Sequence, residues 1–257
     1  MIVGVHNPKG GVGKTTTAVN VAAVVAAMGQ RALLVDLEAY AGASISLGIA
    51  PADLRPSIAD VLLGHTRPQD AIRAVPAVPN LSLITGSPAL TQIDEALTQF
   101  RHPERRLAEL VRPMNAAFDV VILDAPNGFS LLAQSVPHAA QHLLVPVTPF
   151  YLPLEGLAQY LRWYQALSTR RKGLATLLGI LLTQVDYRVP AVREIIEIIR
   201  RHNREGVLHT EVPRDSRAIE APSHGLPLVL YAPRSAAADA YRRATGEILQ
   251  RLSHHSH

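Results

Sequence analysis

The residues best equipped for chemistry lie within the first sixteen: Lys9-Gly10-Gly11-Val12-Gly13-Lys14-Thr15-Thr16. Glycine at Gly10, Gly11 and Gly13 lets the backbone close on a ligand. A glycine loop that follows a strand and opens a helix aims backbone N–H groups at an anion. In such a loop Lys14 reaches the β- and γ-phosphates of a nucleotide, and the Thr15 hydroxyl ligates Mg²⁺. The spacing is not the ordinary one. Pro8 stands where the usual pattern has glycine, and a second lysine, Lys9, follows it. One nucleotide does not require Lys9, because Lys14 already serves it. Lys9 makes sense if it reaches another phosphate, for example one held by a partner subunit.

Three acids complete the set. Asp36 and Glu38 end the run RALLVDLE, and Asp124 ends DVVILD. In an open α/β sheet, ligands sit beyond the carboxyl ends of the strands. Asp124 is expected to hold Mg²⁺ through a water, with Asp36 a second candidate for that shell. Mg²⁺ keeps several of its waters, so one or two carboxylates suffice. Glu38 is placed to orient or deprotonate an attacking water, since phosphoryl transfer depends mostly on positioning and electrostatics.

These side chains need a frame. Continuous apolar runs predict strands at Ile2–Val5, Arg31–Leu37, Leu81–Thr85, Asp119–Asp124, Leu143–Val147, Leu177–Thr183 and Val207–Glu211. Helices are predicted at Thr15–Met28, Ser57–Leu63, Gln69–Ala74, Thr91–Phe100, Glu104–Asn115, Ser130–Ala140, Leu154–Ser168, Val192–Asn203 and Ala236–Leu252. Gly42 to Pro51 reads as a loop with a short turn. Strands that alternate with helices and lack a polar face predict an α/β fold. The expected form is a doubly wound, mostly parallel sheet with helices on both faces. One domain is expected over residues 1–252, with 253–257 a disordered tail. The tail's three histidines read as a frayed end or as a metal-binding tract.

Composition narrows the class. The chain has 257 residues and no cysteine, so disulfides and thiolate-held clusters are excluded. No uninterrupted apolar run reaches membrane-spanning length, and no leader is evident, so a cytoplasmic protein is expected. Of 25 basic residues only Lys9, Lys14 and Lys172 are lysines. Two of these three fall in the loop. Lysine is a compact point charge that fits among phosphate oxygens in a tight loop, whereas arginine is a broad fork, which argues that both are required. The remaining arginines, with a net charge of +4, suit either a DNA-binding face or an ordinary solvated surface.

KGGVGKTT with its extra Lys9 resembles the signature of the ParA/MinD group of ATPases, P-loop NTPases with a deviant Walker A loop. The likeness continues in Ser57–Gly64, in Leu154-Glu155-Gly156-Leu157, and in Val212–Arg217, Glu220–Gly225 and Tyr231–Ser235. The last three resemble the short, Soj-like ParA branch. The resemblance implies ATP and Mg²⁺ as cofactors, homodimerisation on ATP with Lys9 reaching the partner's phosphates, and non-specific binding to nucleoid DNA. It also implies a ParB-like or cargo-adaptor protein that stimulates hydrolysis. Pro213 and Arg214 match a segment near the adenine. Arg188 and Arg217 match DNA-binding arginines, with Arg193, Arg200, Arg201 and Arg204 as possible extensions. Larger plasmid members carry an N-terminal DNA-binding domain, for which no counterpart is expected here.

Two departures stand out. The family usually reads Asp-Pro-Gln where this chain has Glu38-Ala39-Tyr40, and Cys-Pro-Pro where it has Ala125-Pro126-Asn127. The extra methylene of Glu38 displaces a carboxylate by roughly 1 Å, and misplacement on that scale can cost about 100-fold in rate. Slow basal hydrolysis is expected. Partitioning DNA is the leading function. Positioning a protein cargo, such as carboxysomes or chemosensory clusters, over the nucleoid is the alternative. A MinD-like membrane-associated regulator is disfavoured, because Ala236–Leu252 offers mainly alanines rather than a bulky apolar face. A reductase or cluster carrier of the same fold lacks cysteine ligands.

Overall fold

Apolar side chains on consecutive strand residues point to opposite faces, so a strand with no polar face must be covered on both. The computed structural model, whose described residues are 1–170, 173–203 and 206–254, has this arrangement. Strands β1 (Ile2–Val5), β2 (Ala32–Asp36), β3 (Arg73–Ala74), β4 (Leu81–Ile84), β5 (Val120–Asp124), β6 (His142–Val147), β7 (Thr176–Val185) and β8 (Val207–Pro213) form one sheet. Its order is β3-β4-β2-β5-β1-β6-β7-β8. Every pairing is parallel except β3 with β4.

Helices α1 (Lys14–Ala27), α2 (Gly42–Ser46), α3 (Ile58–Leu62), α4 (Pro68–Ala71), α5 (Ile93–Leu97), α6 (Arg106–Val111), α7 (Leu131–Ala139), α8 (Tyr151–Arg170), α9 (Pro190–His202), α10 (Arg217–Glu220), α11 (Leu228–Tyr231) and α12 (Ala236–His254) complete the chain. On one face of the sheet α1 and α12 pack on Leu34 and Ile122. On the other, α3, α6 and α7 pack on Leu33, Val35, Val121 and Leu123. A third cluster joins Val145 and Val147 to Tyr160 of α8 and Ile196 of α9. Helix α1 is Ala- and Val-rich because it is buried on nearly every side. Gly29, at φ +84°, ends it by donating from its N–H to the Ala26 carbonyl.

The alternation also sets the chemistry. Asp36 and Asp124 continue the even-numbered positions Leu34 and Ile122, which face α1. Strand β5 lies between β1 and β2, so Asp124 is in register with Val5 on one side and Asp36 on the other.

Four sequence expectations change. The short turn expected in the loop from Gly42 to Pro51 is a five-residue helix, α2. The helix expected over Gln69–Ala74 ends at Ala71, and Ile72 turns extended to start the antiparallel edge strand β3. Thr91–Phe100 and Glu104–Asn115 are each broken into α and 3-10 turns. The last helix runs to His254, past the start of the expected tail; residues 255–257 of that tail lie outside the described residues.

Candidate active site

The loop between β1 and α1 is open and braced from behind. Gly11 and Gly13 have φ of +75° and +81°, and a Cβ on Gly11 would meet nothing within 4 Å. The loop's carbonyls are tied back. Thr183 Oγ1 donates to Val12 O at 2.8 Å, and Gln184 Nε2 to Gly11 O at 2.7 Å. Asn7 accepts from the Lys9 N–H at 2.9 Å and donates to Pro146 O at 2.8 Å. The Thr17 N–H bonds Gly13 O at 2.9 Å. The N–H groups before it belong to the helix start, where no intrahelical acceptor exists. This is the geometry of an anion cradle.

Lys14 is buried, and its Nζ donates to Asn127 Oδ1 at 2.6 Å and to Lys9 O at 3.2 Å. Burial lowers its pKa, and Asp124 and Glu38 partly restore it. Asp124 is fully buried, and neither carboxylate oxygen has a hydrogen-bond partner. Burial pushes its pKa well above the ordinary value, and Asp36 adds to the effect. The Thr15 hydroxyl beside it and the Lys14 ammonium work against that rise. Asp36 is held differently. Its oxygens accept from Ser44 Oγ at 2.7 Å, Ser44 N at 2.9 Å and Glu38 N at 3.1 Å. Burial still raises its pKa.

Glu38 is half-buried. One oxygen accepts from Asn127 N at 3.0 Å and from Asn127 Nδ2 at 2.8 Å. Burial raises the Glu38 pKa, and Lys14 opposes the rise.

The donor set fits a phosphate-bound hard cation. Asp124 and Glu38 act on the Lys14 ammonium and Asp36 acts on both carboxylates, so with all three acids ionised the cluster lacks two positive charges. A divalent cation supplies that charge, and the unpartnered oxygens of Asp124 are the natural place for it. Among the described residues no three His, Cys, Asp or Glu side chains are grouped to chelate a metal. Mg²⁺ keeps several waters and binds phosphate, so one or two carboxylates and the Thr15 hydroxyl are enough protein ligands for it.

Beyond Gly13 and Thr16 a cavity of about 570 Å³ opens, lined also by Thr183, Pro213, Arg214 and Tyr241. Its size suits a nucleoside. Arg188 and Asp215 line the same cavity. Arg188 makes a two-point pair with Asp186 at 2.8 and 2.7 Å, and Arg217 with Asp215 at 2.8 and 2.9 Å. The pairing and backbone N–H bonds hold Asp186 at a pKa of about 2. Each pair uses Nε and one Nη, which leaves other guanidinium N–H groups for a phosphate.

The proposed extensions of this face differ from one another. Arg193 stacks on Tyr187 at 4.9 Å. Arg200 bonds Glu211 and the carbonyls of Leu208 and His209. Arg201 is exposed. Arg204 lies outside the described residues. Lys9 is half-buried, with its Cδ 4.0 Å from where a Cβ on Gly156 would stand.

The loop, Lys14, Thr15, Asp36, Glu38 and Asp124 thus converge as the sequence predicts. Ser44, Thr183 and Gln184 were not foreseen. Ser44 lies in the presumed loop, and the two β7 residues follow an apolar run without any local signal of a contact 171 residues away.

Comparison with known proteins places this geometry. A family model described as an AAA domain matches residues 1–176. The sporulation initiation inhibitor protein Soj of Bacillus subtilis is 35% identical over 247 residues, covering 96% of this chain and 97% of that protein. The chromosome-partitioning ATPase Soj of Thermus thermophilus is 35% identical over 252 residues, covering 97% and 96%. Among solved structures, cobyrinic acid a,c-diamide synthase of Mycobacterium smegmatis with bound ADP and magnesium superposes with a TM-score of 0.84. It is 28% identical and covers 98% of this chain and 95% of that one.

Proposed function

The chain belongs to the ParA/MinD family of ATPases, and from that premise we propose that it is an ATP-switched dimer that binds DNA without sequence preference and partitions a DNA cargo with a ParB-like partner. The observation that carries the ATPase chemistry is the unpartnered, fully buried carboxylate of Asp124 beside an open glycine loop. Similarity to a chromosome-partitioning ATPase over nearly the whole of both chains supports the cellular role.

The residues divide the work. Lys14 and the N–H groups of Gly10 to Thr16 hold the phosphates. Pro213 and Arg214 border the base. Thr15 and Asp124 face the cation, and Asp36 supports them by fixing Ser44 and the start of Glu38. Mg²⁺, when bound, neutralises charge on the phosphates. Glu38 orients the attacking water. Lys9 reaches the partner's phosphates and so makes dimerisation depend on ATP. Arg188 and Arg217 contact DNA phosphates, which confer affinity without sequence readout. The working location is the nucleoid.

Two further readings use the same pocket. Positioning a protein cargo over the nucleoid is favoured by the departures at Glu38 and Asn127, which fall where a partner would act. A membrane role is opposed by α12, whose Tyr241, Ala244, Ile248 and Leu252 are spent in the core.

The test is DNA binding with ATP, with ADP and without nucleotide, across a salt series. The reading predicts binding with ATP only, blind to sequence and falling with a log–log salt slope of about −0.9 per phosphate contacted. Equal binding without nucleotide contradicts it.

A further inference from the structure

Asn127 joins the two halves of the pocket. Its N–H and its Nδ2 both donate to Glu38 Oε1, at 3.0 and 2.8 Å. Its Oδ1 accepts from Lys14 Nζ at 2.6 Å. The segment that carries it is itself tied to the loop, because the Gly128 N–H donates to Pro8 O at 2.7 Å. Gly10 leaves the amide space: a Cβ there would stand 3.4 Å from Asn127 Oδ1.

A primary amide offers a donor and an acceptor from one rigid plane. It can therefore face a carboxylate and an ammonium at once. Aspartate would repel Glu38, and proline would lack both the amide and the N–H. Holding a single carboxylate oxygen with two donors fixes the direction of the whole group. No hydrogen bond to Glu38 Oε2 is present among the described residues, so that oxygen remains available to a water.

We propose that Asn127 is the positioning residue for hydrolysis: it clamps the Glu38 carboxylate by one oxygen and ties it to the phosphate-binding Lys14. The longer Glu38 and the amide at 127 are then one matched device, and the second departure compensates the first. This inference rests on the reading of the pocket as an ATP-hydrolysing site.

Steady-state ATP turnover and ATP affinity of the wild type, Asn127→Ala, Asn127→Asp, Glu38→Gln and the double variant Glu38→Gln/Asn127→Ala test it. Asn127→Ala should lower kcat by about tenfold or more with KM changed less than about twofold, as expected for lost positioning. Asn127→Asp, though closer in shape, should be slower still, because it repels Glu38. A purely structural role would give the reverse order. In the Glu38→Gln background the loss from Asn127→Ala should vanish. Equal kcat in the wild type and Asn127→Ala, or losses that simply add in the double variant, overturn the inference while leaving the ATPase reading intact. A wild type that neither binds nor hydrolyses ATP overturns both.

Discussion

Burial, more than any single contact, sets the properties of Asp124, Lys14 and His6. Asp124 and Lys14 each lose hydration and are each partly restored by the other, which is the balance a charged ligand and a cation can tip. Glu38 retains partial exposure, and its Oε2 has no hydrogen-bond partner among the described residues. Glu38→Gln should keep nucleotide binding and lower turnover by about 100-fold, the typical worth of a positioned base. Unchanged single-turnover rates would remove Glu38 from the mechanism. His6 is a different case, a core histidine bonded to Tyr160 at 2.9 Å and Ala133 O at 3.1 Å. Burial drives its pKa from 6.5 to about 4, against the backbone bond that raises it. The unfolded chain takes up this proton near pH 6.5 and the folded chain only near pH 4. Stability present above pH 6.5 is therefore lost as pH falls through that window, by at most about 3 kcal/mol. Asp124, with a raised pKa, has the opposite sign. Urea midpoints at pH 7.5 and 5.0 should fall more for the wild type than for His6→Gln.

Elements explain which parts of the site were legible beforehand. The loop, the strand-end acids and α1 were readable because each is a local pattern: glycines, an apolar run closed by an acid, an alanine-rich helix. Helix α2 was not, because GASIS has no apolar period and its purpose is long-range. Ser44 in it caps Asp36 and also accepts from the Gly86 N–H at 3.2 Å. The edge strand β3 was missed for a similar reason, since Arg73 and Ala74 become a strand only by pairing with β4. The Glu38–Asn127 contact spans 89 residues, and no single-sequence spacing encodes it. Gly86 shows how tightly these elements meet. A Cβ there would fall 2.4 Å from the Glu38 carbonyl oxygen and 3.0 Å from the Asp36 carboxylate. Gly86→Ala must push the β2 end aside. A loss of about 1–3 kcal/mol in unfolding free energy is expected, with turnover falling further than stability alone accounts for. A variant as stable and active as the wild type would mean that β2 and β4 are not rigidly coupled at this point.

At the scale of the whole molecule, one sheet brings two groups of residues to its carboxyl edge. The ends of β1, β5 and β2 present the glycine loop, Asp124 and Asp36, and the ends of β7 and β8 border the cavity and the paired arginines. Arg188 shares the cavity wall with Asp215, the partner of Arg217, so the base pocket and the proposed DNA face adjoin. Arg188→Ala and Arg217→Ala should each weaken DNA binding uniformly across sequences and reduce the salt slope by about 1. Loss confined to one DNA sequence would contradict phosphate contact. Lys9 is the residue on which the larger account turns, because its ammonium makes no hydrogen bond or ion pair among the described residues and one nucleotide is already served by Lys14. Sedimentation of the wild type and Lys9→Ala, each with Mg²⁺ and either ADP or a slowly hydrolysed ATP analogue, tests this most directly. The account predicts an ATP-analogue-dependent dimer for the wild type, and a monomer in both nucleotides for Lys9→Ala that still binds nucleotide. A Lys9→Ala protein that dimerises on the ATP analogue as the wild type does would contradict it.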